Sequence, residues 1–232
     1  MLGRTNTPSR TSMCRTPMPG QLRLGAAAGF VVAVLCVAYA SVLAIGLLTL
    51  PSPDQPIQNP WFTVMEVLIL AIAPGMVAFT AGLYVWATAE RKPLALLSVF
   101  FMSMCAVVTC CVHFAVLTLS RQPEFAGPDW ATLVFSFRWP SVAYALDILA
   151  WDLFFPLAAV FAALGVHGSG LASMVRALLF GSAALAFIGL AGVPLANMNV
   201  RNIGIIGYVV LFPVAAVLLA LMFRRPEGQS AA

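Results

Sequence analysis

Charge is what this sequence has least of. Only 9% of its 232 residues are Asp, Glu, Lys or Arg, while 62% are hydrophobic. A soluble domain of ordinary composition carries about 25% charged residues. Too few polar side chains remain to coat a globule in water, so a soluble domain is excluded. The apolar core has to meet an apolar solvent on its outside, and one membrane domain is the natural reading. Cysteine is sparse too. Cys14, Cys36, Cys105, Cys110 and Cys111 form no C-x-x-C pair and none falls in an expected external loop. That argues against a disulfide framework or a zinc site, and no metal is expected.

Motifs that carry chemistry are missing as well. There is no H-E-x-x-H, no Walker loop, no G-x-G-x-x-G and no G-x-S-x-G. "HGSG" at 167–170 reads as a turn. Two histidines, His113 and His167, fall on opposite sides of the expected bundle and cannot share a haem, and no long apolar run carries a lysine for a retinal Schiff base. No cofactor is expected. The basic residues make no stripe beside aromatics, which excludes nucleic acid as a partner. The first three apolar runs and the last three show no sequence repeat, which weighs against an inverted-repeat transporter.

What is present is apolar length. Six runs, 24–50, 61–87, 94–117, 140–164, 175–195 and 203–223, each approach the roughly 20 residues that cross a bilayer. The expected fold is all-α: a polytopic integral membrane protein, a six-transmembrane-helix bundle. Residues 1–23 are polar and basic and read as a disordered tail, and 224–232 as a second tail. "AYAS" at 38–41 resembles a signal-peptide cleavage site. The run continues through "VLAIGLLTL", though, well beyond a signal core of about 7–15 residues, so an uncleaved span is expected.

Orientation follows from Lys and Arg. Arg4, Arg10, Arg15, Arg23, Arg91, Lys92, Arg176, Arg224 and Arg225 fall on one side of a six-span chain, and Arg121, Arg138 and Arg201 on the other. Both termini are therefore expected in the cytoplasm, in the plasma membrane or, in a bacterium, the inner membrane. Residues 51–60 hold four prolines and read as a stiff linker. In 120–139 an aromatic run too short to span reads as an interfacial or re-entrant helix, a lid or an anchor, with Trp130 and Trp139 at headgroup level.

Ionisable residues inside apolar runs are functional candidates by default. Glu66, His113, Asp147 and Asp152 are the four, and all lie in the half away from the termini or at its centre. Arg201, Tyr144, Tyr208, Asn197, Asn199 and Asn202 fall at similar levels. At 100° per residue Glu66 aligns with Ala73, Thr80 and Tyr84, His113 with Thr109 and Ala106, and Arg201 with Gly204 and Tyr208. The same phase turns Asp152 away from Asp147 by about 140° and about 7.5 Å along the axis. Asp152 then joins Ser141, Ala145, Ala159 and Ala163 on a small-residue packing face. Pro156 cannot donate to the carbonyl of residue 152, which predicts a kink.

The sequence thus points to a non-enzymatic, multi-pass membrane protein. Its ligand or ion site would use Glu66, His113, Asp147, Asp152, Arg201, Tyr144 and Tyr208, with no catalytic residue. Besides the lipid bilayer, a small solute, cation or proton is the expected partner. A structural or signalling subunit, with a membrane-protein partner or a second copy, is the first alternative. An intramembrane lipid-modifying enzyme with His113 as acid/base is the second.

Overall fold

The computed structural model describes residues 20–52, 55–126 and 128–224. Most of the two expected tails, Arg225 and Cys14 lie outside these residues. Among the described residues every regular element is helical. In chain order they are α1 (Gly20–Leu48), α2 (Trp61–Trp86), α3 (Lys92–Arg121), α4 (Pro123–Ala126), α5 (Ala131–Phe135), α6 (Val142–Gly165), α7 (Leu171–Leu190) and α8 (Met198–Phe223). All except α4 and α5 are long and apolar enough to cross a membrane.

The helix ends follow local chemistry more than hydropathy. Gly20 to Arg23 form the first turn of α1, inside the stretch expected to lack structure. The last two long helices begin before their apolar runs do, because Ser173, Arg176 and Asn199 lower hydropathy without stopping a helix. Asn197 starts α8 by accepting from Asn199 N at 3.0 Å and Val200 N at 3.4 Å. The segment 120–139 forms two short helices rather than one, and Trp130 and Trp139 are both exposed.

Six passes put Gly20, Phe223 and the connections 87–91 and 166–170 on one face, the termini face. The described residues of the connections, 49–52, 55–60, 122–126, 128–141 and 191–197, occupy the opposite, linker face. On the termini face, Arg91 Nη1 donates to Leu164 O at 2.6 Å and Val166 O at 3.2 Å, and Arg176 Nη1 to Gly168 O at 2.8 Å. Arg91 satisfies carbonyls left over at the end of α6, and Arg176 ties down the connection that follows. Between them His167 stacks on Trp86, ring centroids 4.2 Å apart. Burial against that ring, then the charges of Arg91 and Arg176, hold its pKa below the ordinary histidine range.

The termini half of the bundle is close-packed. Its centre is a short repeat within one half of the chain: "FPLAAV" at 155–160 in α6 and "FPVAAV" at 212–217 in α8. Phe155, Ala158 and Ala159 are buried in one copy, and Phe212, Ala215 and Ala216 in the other. Phe155 meets Phe212 edge to face at 5.1 Å, and Trp151 meets Tyr208 at 5.0 Å, so equivalent residues of the two copies touch.

Each copy is preceded by a π-helical stretch, Leu149–Phe154 and Gly207–Leu211. There Phe155 N donates to Ala150 O, and Phe212 N to Gly207 O, five residues back. Proline lacks an N–H, and the wider turn re-pairs the ladder directly before it. Where a kink is expected at Pro156, a π turn has formed.

Close approach of α1 and α2 depends on two glycines. A Cβ on Gly25 would lie 2.6 Å from Gly82 Cα, and one on Gly82 2.6 Å from Gly25 Cα. Neither obstacle is a side chain that can turn away. Gly82→Ala should therefore lower stability by about 1–3 kcal/mol, the usual cost of overpacking. Gly20→Ala, with open space around its Cβ, should leave it unchanged. Unfolding of both variants in detergent micelles checks this.

Candidate functional site

The site begins where α8 starts. Gly189 and Gly192 bring α7 against the backbone of Arg201: a Cβ on Gly192 would lie 2.5 Å from Arg201 N, and one on Gly189 2.8 Å from Arg201 O. Gly207 is as close, 2.5 Å from Ser182 O by the same measure, and Ser182 Oγ donates to Gly207 O at 2.8 Å. With its backbone pressed into α7, Arg201 sends its side chain across the bundle interior, where the residue is 4% exposed.

Two aspartates of α6 receive it. Arg201 Nε donates to Asp152 Oδ2 at 3.1 Å, and Nη2 to Asp147 Oδ2 at 3.1 Å. An ideal α-helix would not aim both carboxylates at one guanidinium. The π stretch starting at Leu149 does, because i→i+5 bonding brings residues five apart toward one azimuth. This corrects the α-helical phase argument that assigned Asp152 to a separate packing face. The Tyr144 ring lies against the guanidinium, 4.9 Å from Arg201 Cζ, in cation–π range.

A second arm runs through α3 to α2. His113 Nδ1 is 2.9 Å from Glu66 Oε2, and its Nε2 is 3.5 Å from Asp147 Oδ1 without hydrogen-bond alignment. Phe137, from the linker before α6, stacks on the His113 ring at 4.9 Å. The result is one chain of ionisable groups: Glu66, His113, Asp147, Arg201, Asp152. Four helices contribute to it. Glu66 and His113 are 3% and 5% exposed, Asp152 is fully buried and Asp147 is half-buried.

Acid groups outnumber basic ones in this chain: three carboxyl groups face one guanidinium and one imidazole. Three buried polar atoms, Asp152 Oδ1, His113 Nε2 and Thr109 Oγ1, have no hydrogen-bond partner among the described residues. Uncompensated groups at such depth are costly.

The chain forms part of the wall of a cavity of about 1190 Å³ in the linker half. Of the residues expected at the site, Glu66, His113, Tyr144, Asp147, Arg201 and Tyr208 line this cavity. Asp152 stands behind Arg201, its Oδ1 so near Gly204 that a Cβ there would lie 2.8 Å away. Asn202 lines the cavity, Asn197 caps α8 and Asn199 is exposed. Tyr84, expected on the Glu66 face, is 37% exposed instead, with Lys92 Nζ 5.7 Å from its ring.

Helical phase groups Trp151 with Asp147 and Tyr144, and all three line the cavity; sequence reasoning missed Tyr39 and Phe137. Tyr39 sits in "AYAS", where the motif invites a reading as a processing signal. Phe137 comes from a loop with no periodicity to read.

Among the described residues no group of His, Cys, Asp and Glu is arranged to hold a metal ion. No protein-family model, curated protein or solved structure is significantly similar to this chain. The site has to be read from its own chemistry.

Removing Arg201 should expose how far the site depends on it. Arg201→Met leaves two buried carboxylates unpaired and should cost about 3–5 kcal/mol, the range for breaking a buried pair. Adding Asp152→Asn should recover part of that loss. Arg201→Lys should not match the parent, since an ammonium has no fork to span both carboxylates. Unfolding in detergent micelles reads all three. An Arg201→Met protein as stable as the parent would contradict the assignment.

Proposed function

We propose that this chain is a non-enzymatic multi-pass membrane protein of the plasma membrane, with its termini face in the cytoplasm, that binds a small cation-bearing molecule in the linker-half cavity. Membrane insertion is supported by six helices of sufficient length and hydropathy. The orientation is supported by Lys and Arg placement: Arg23, Arg91, Lys92, Arg176 and Arg224 belong to the termini face, and Arg121, Arg138 and Arg201 to the linker half.

The reading of the cavity rests on one observation. Asp147 and Asp152 already engage Nη2 and Nε of the one guanidinium, and Glu66, held by His113, joins Asp147 on the cavity wall. An anion would have to displace Asp147 from Arg201 to gain a partner there. A cation finds Asp147, Glu66 and the rings of Tyr39, Tyr144, Trp151 and Tyr208. Carboxylate and aromatic faces together suit a large, weakly hydrated cation. Arg138 stands at the exposed rim, where solvent screens it.

Quaternary ammonium ions test this. Tetraethylammonium should bind the purified protein in nonionic detergent, by equilibrium dialysis. Asp147→Asn and Glu66→Gln should each weaken it at least tenfold, about 1.4 kcal/mol. Absence of binding, or binding indifferent to both substitutions, would leave the ion chain an assembly role only.

Orientation is checked separately by cysteine labelling in intact cells, with the native cysteines replaced. Glu124→Cys, in the linker face, should react with an impermeant maleimide. Ser169→Cys, in the termini face, should react only after the membrane is opened.

A further inference from the structure

We propose that the cavity is loaded sideways, through the gap between α1 and α8 in the linker half, and that its ligand is an amphiphile with one cationic head and an alkyl tail. This rests on the cation-binding reading above and adds the ligand's second half and its route.

Toward the linker face the cavity has a partial roof of two connecting segments: residues 55–59, and 132–133 with 135–140, line it there. The first of these is packed down onto α1: a Cβ on Gly46 would lie 2.8 Å from Ile57 Cγ2. The second is held by Phe137, stacked on His113 and 6.4 Å from Phe62, and by the hydrogen bond from Ser141 Oγ to Ser136 O. Beside this roof, Arg121 Nη2 donates to Thr63 Oγ1 at 2.6 Å and ties α3 to α2.

The flank is different. α1 packs against the Phe212–Phe223 part of α8, and that contact thins out at Gly207–Leu211. Beyond that level the two helices diverge, yet both still face the cavity: Leu43 and Leu47 from α1, Ile205 and Val209 from α8. The residues just outside the gap, Leu48, Ile206 and Val210, are apolar and exposed. In a membrane they face acyl chains, so the gap connects the cavity to lipid through apolar walls.

Size and lining decide what passes. About 1190 Å³ exceeds the roughly 300–1,000 Å³ of sites for drug-sized ligands. A compact cation would leave Leu43, Leu47, Ile69 and Ile72 facing water, which wastes the burial those walls offer. An alkyl tail covers them. The same space is also lined by Glu66 and Asp147, with Arg201 occupied by its two aspartates. The head is therefore cationic and the tail lies along α1.

The protein in lipid nanodiscs, with empty nanodiscs as the partition control, tests the proposal. Dodecyltrimethylammonium should bind at least tenfold tighter than tetramethylammonium, and dodecanoate should bind more weakly than dodecyltrimethylammonium. Rapid filtration of labelled dodecyltrimethylammonium reads the route. Ile205→Trp and Leu43→Trp should slow association at least fivefold, Ile205→Ala should speed it, and Val37→Trp, on the exposed face of α1, should not change it.

If compact ammonium ions bind through Asp147 but the dodecyl chain adds nothing, or the gap variants leave the rate unchanged, the sideways route and the tail fall while cation binding stands. If dodecanoate binds more tightly, or Asp147→Asn leaves dodecyltrimethylammonium binding intact, the cationic head falls, and the cation reading with it.

Discussion

One guanidinium between two carboxylates organises this molecule. Arg201 has to leave the first turn of α8, cross the interior and meet Asp147 and Asp152 together. Each requirement shapes a neighbouring element. Gly189, Gly192 and Gly207 exist without side chains where α7 and α8 press together. The π stretch of α6 turns residues five apart toward one donor. In an apolar surrounding a lone buried charge costs several kcal/mol, so the pairing is obligatory once any one of the three residues is present.

The same arrangement explains why the two halves of the bundle differ. In the termini half, repeated F-P-x-A-A-V segments pack alanine and phenylalanine, and the buried Ser98 hydroxyl is satisfied by Ala158 O at 2.9 Å. In the linker half, the ion chain replaces that packing and holds the helices apart around a cavity. Both π stretches sit at the border between these regimes, each directly before a proline. A proline deprives the helix of one donor, and the wider turn re-aims the side chains above it without breaking the ladder below. Trp151 and Tyr208, one from each stretch, meet there and form the floor of the cavity.

An ion chain fully neutralised by its own members would serve assembly alone. This one retains an excess of carboxylate, and three buried polar atoms in and beside it have no partner among the described residues. The binding role proposed above rests on that surplus of acid groups beside aromatic rings and a large apolar space.

The sequence by itself determined the all-helical architecture, the number of long apolar helices and the residues with chemistry. Hydropathy and low charge leave few alternatives for a chain that cannot coat itself with polar groups. Glu66, His113, Asp147, Asp152 and Arg201 stand out because ionisable residues are rare in apolar runs. Their partners were beyond its reach. Which carboxylate meets which cation depends on helix azimuth, and ideal α-helical phase misplaces Asp152 because a π turn shifts every side chain that follows it. The gap between α1 and α8 has no sequence signature either, since exposed leucines and isoleucines look alike whether they face lipid or a doorway. Those features belong to the way the helices lean on one another, which tertiary packing alone decides.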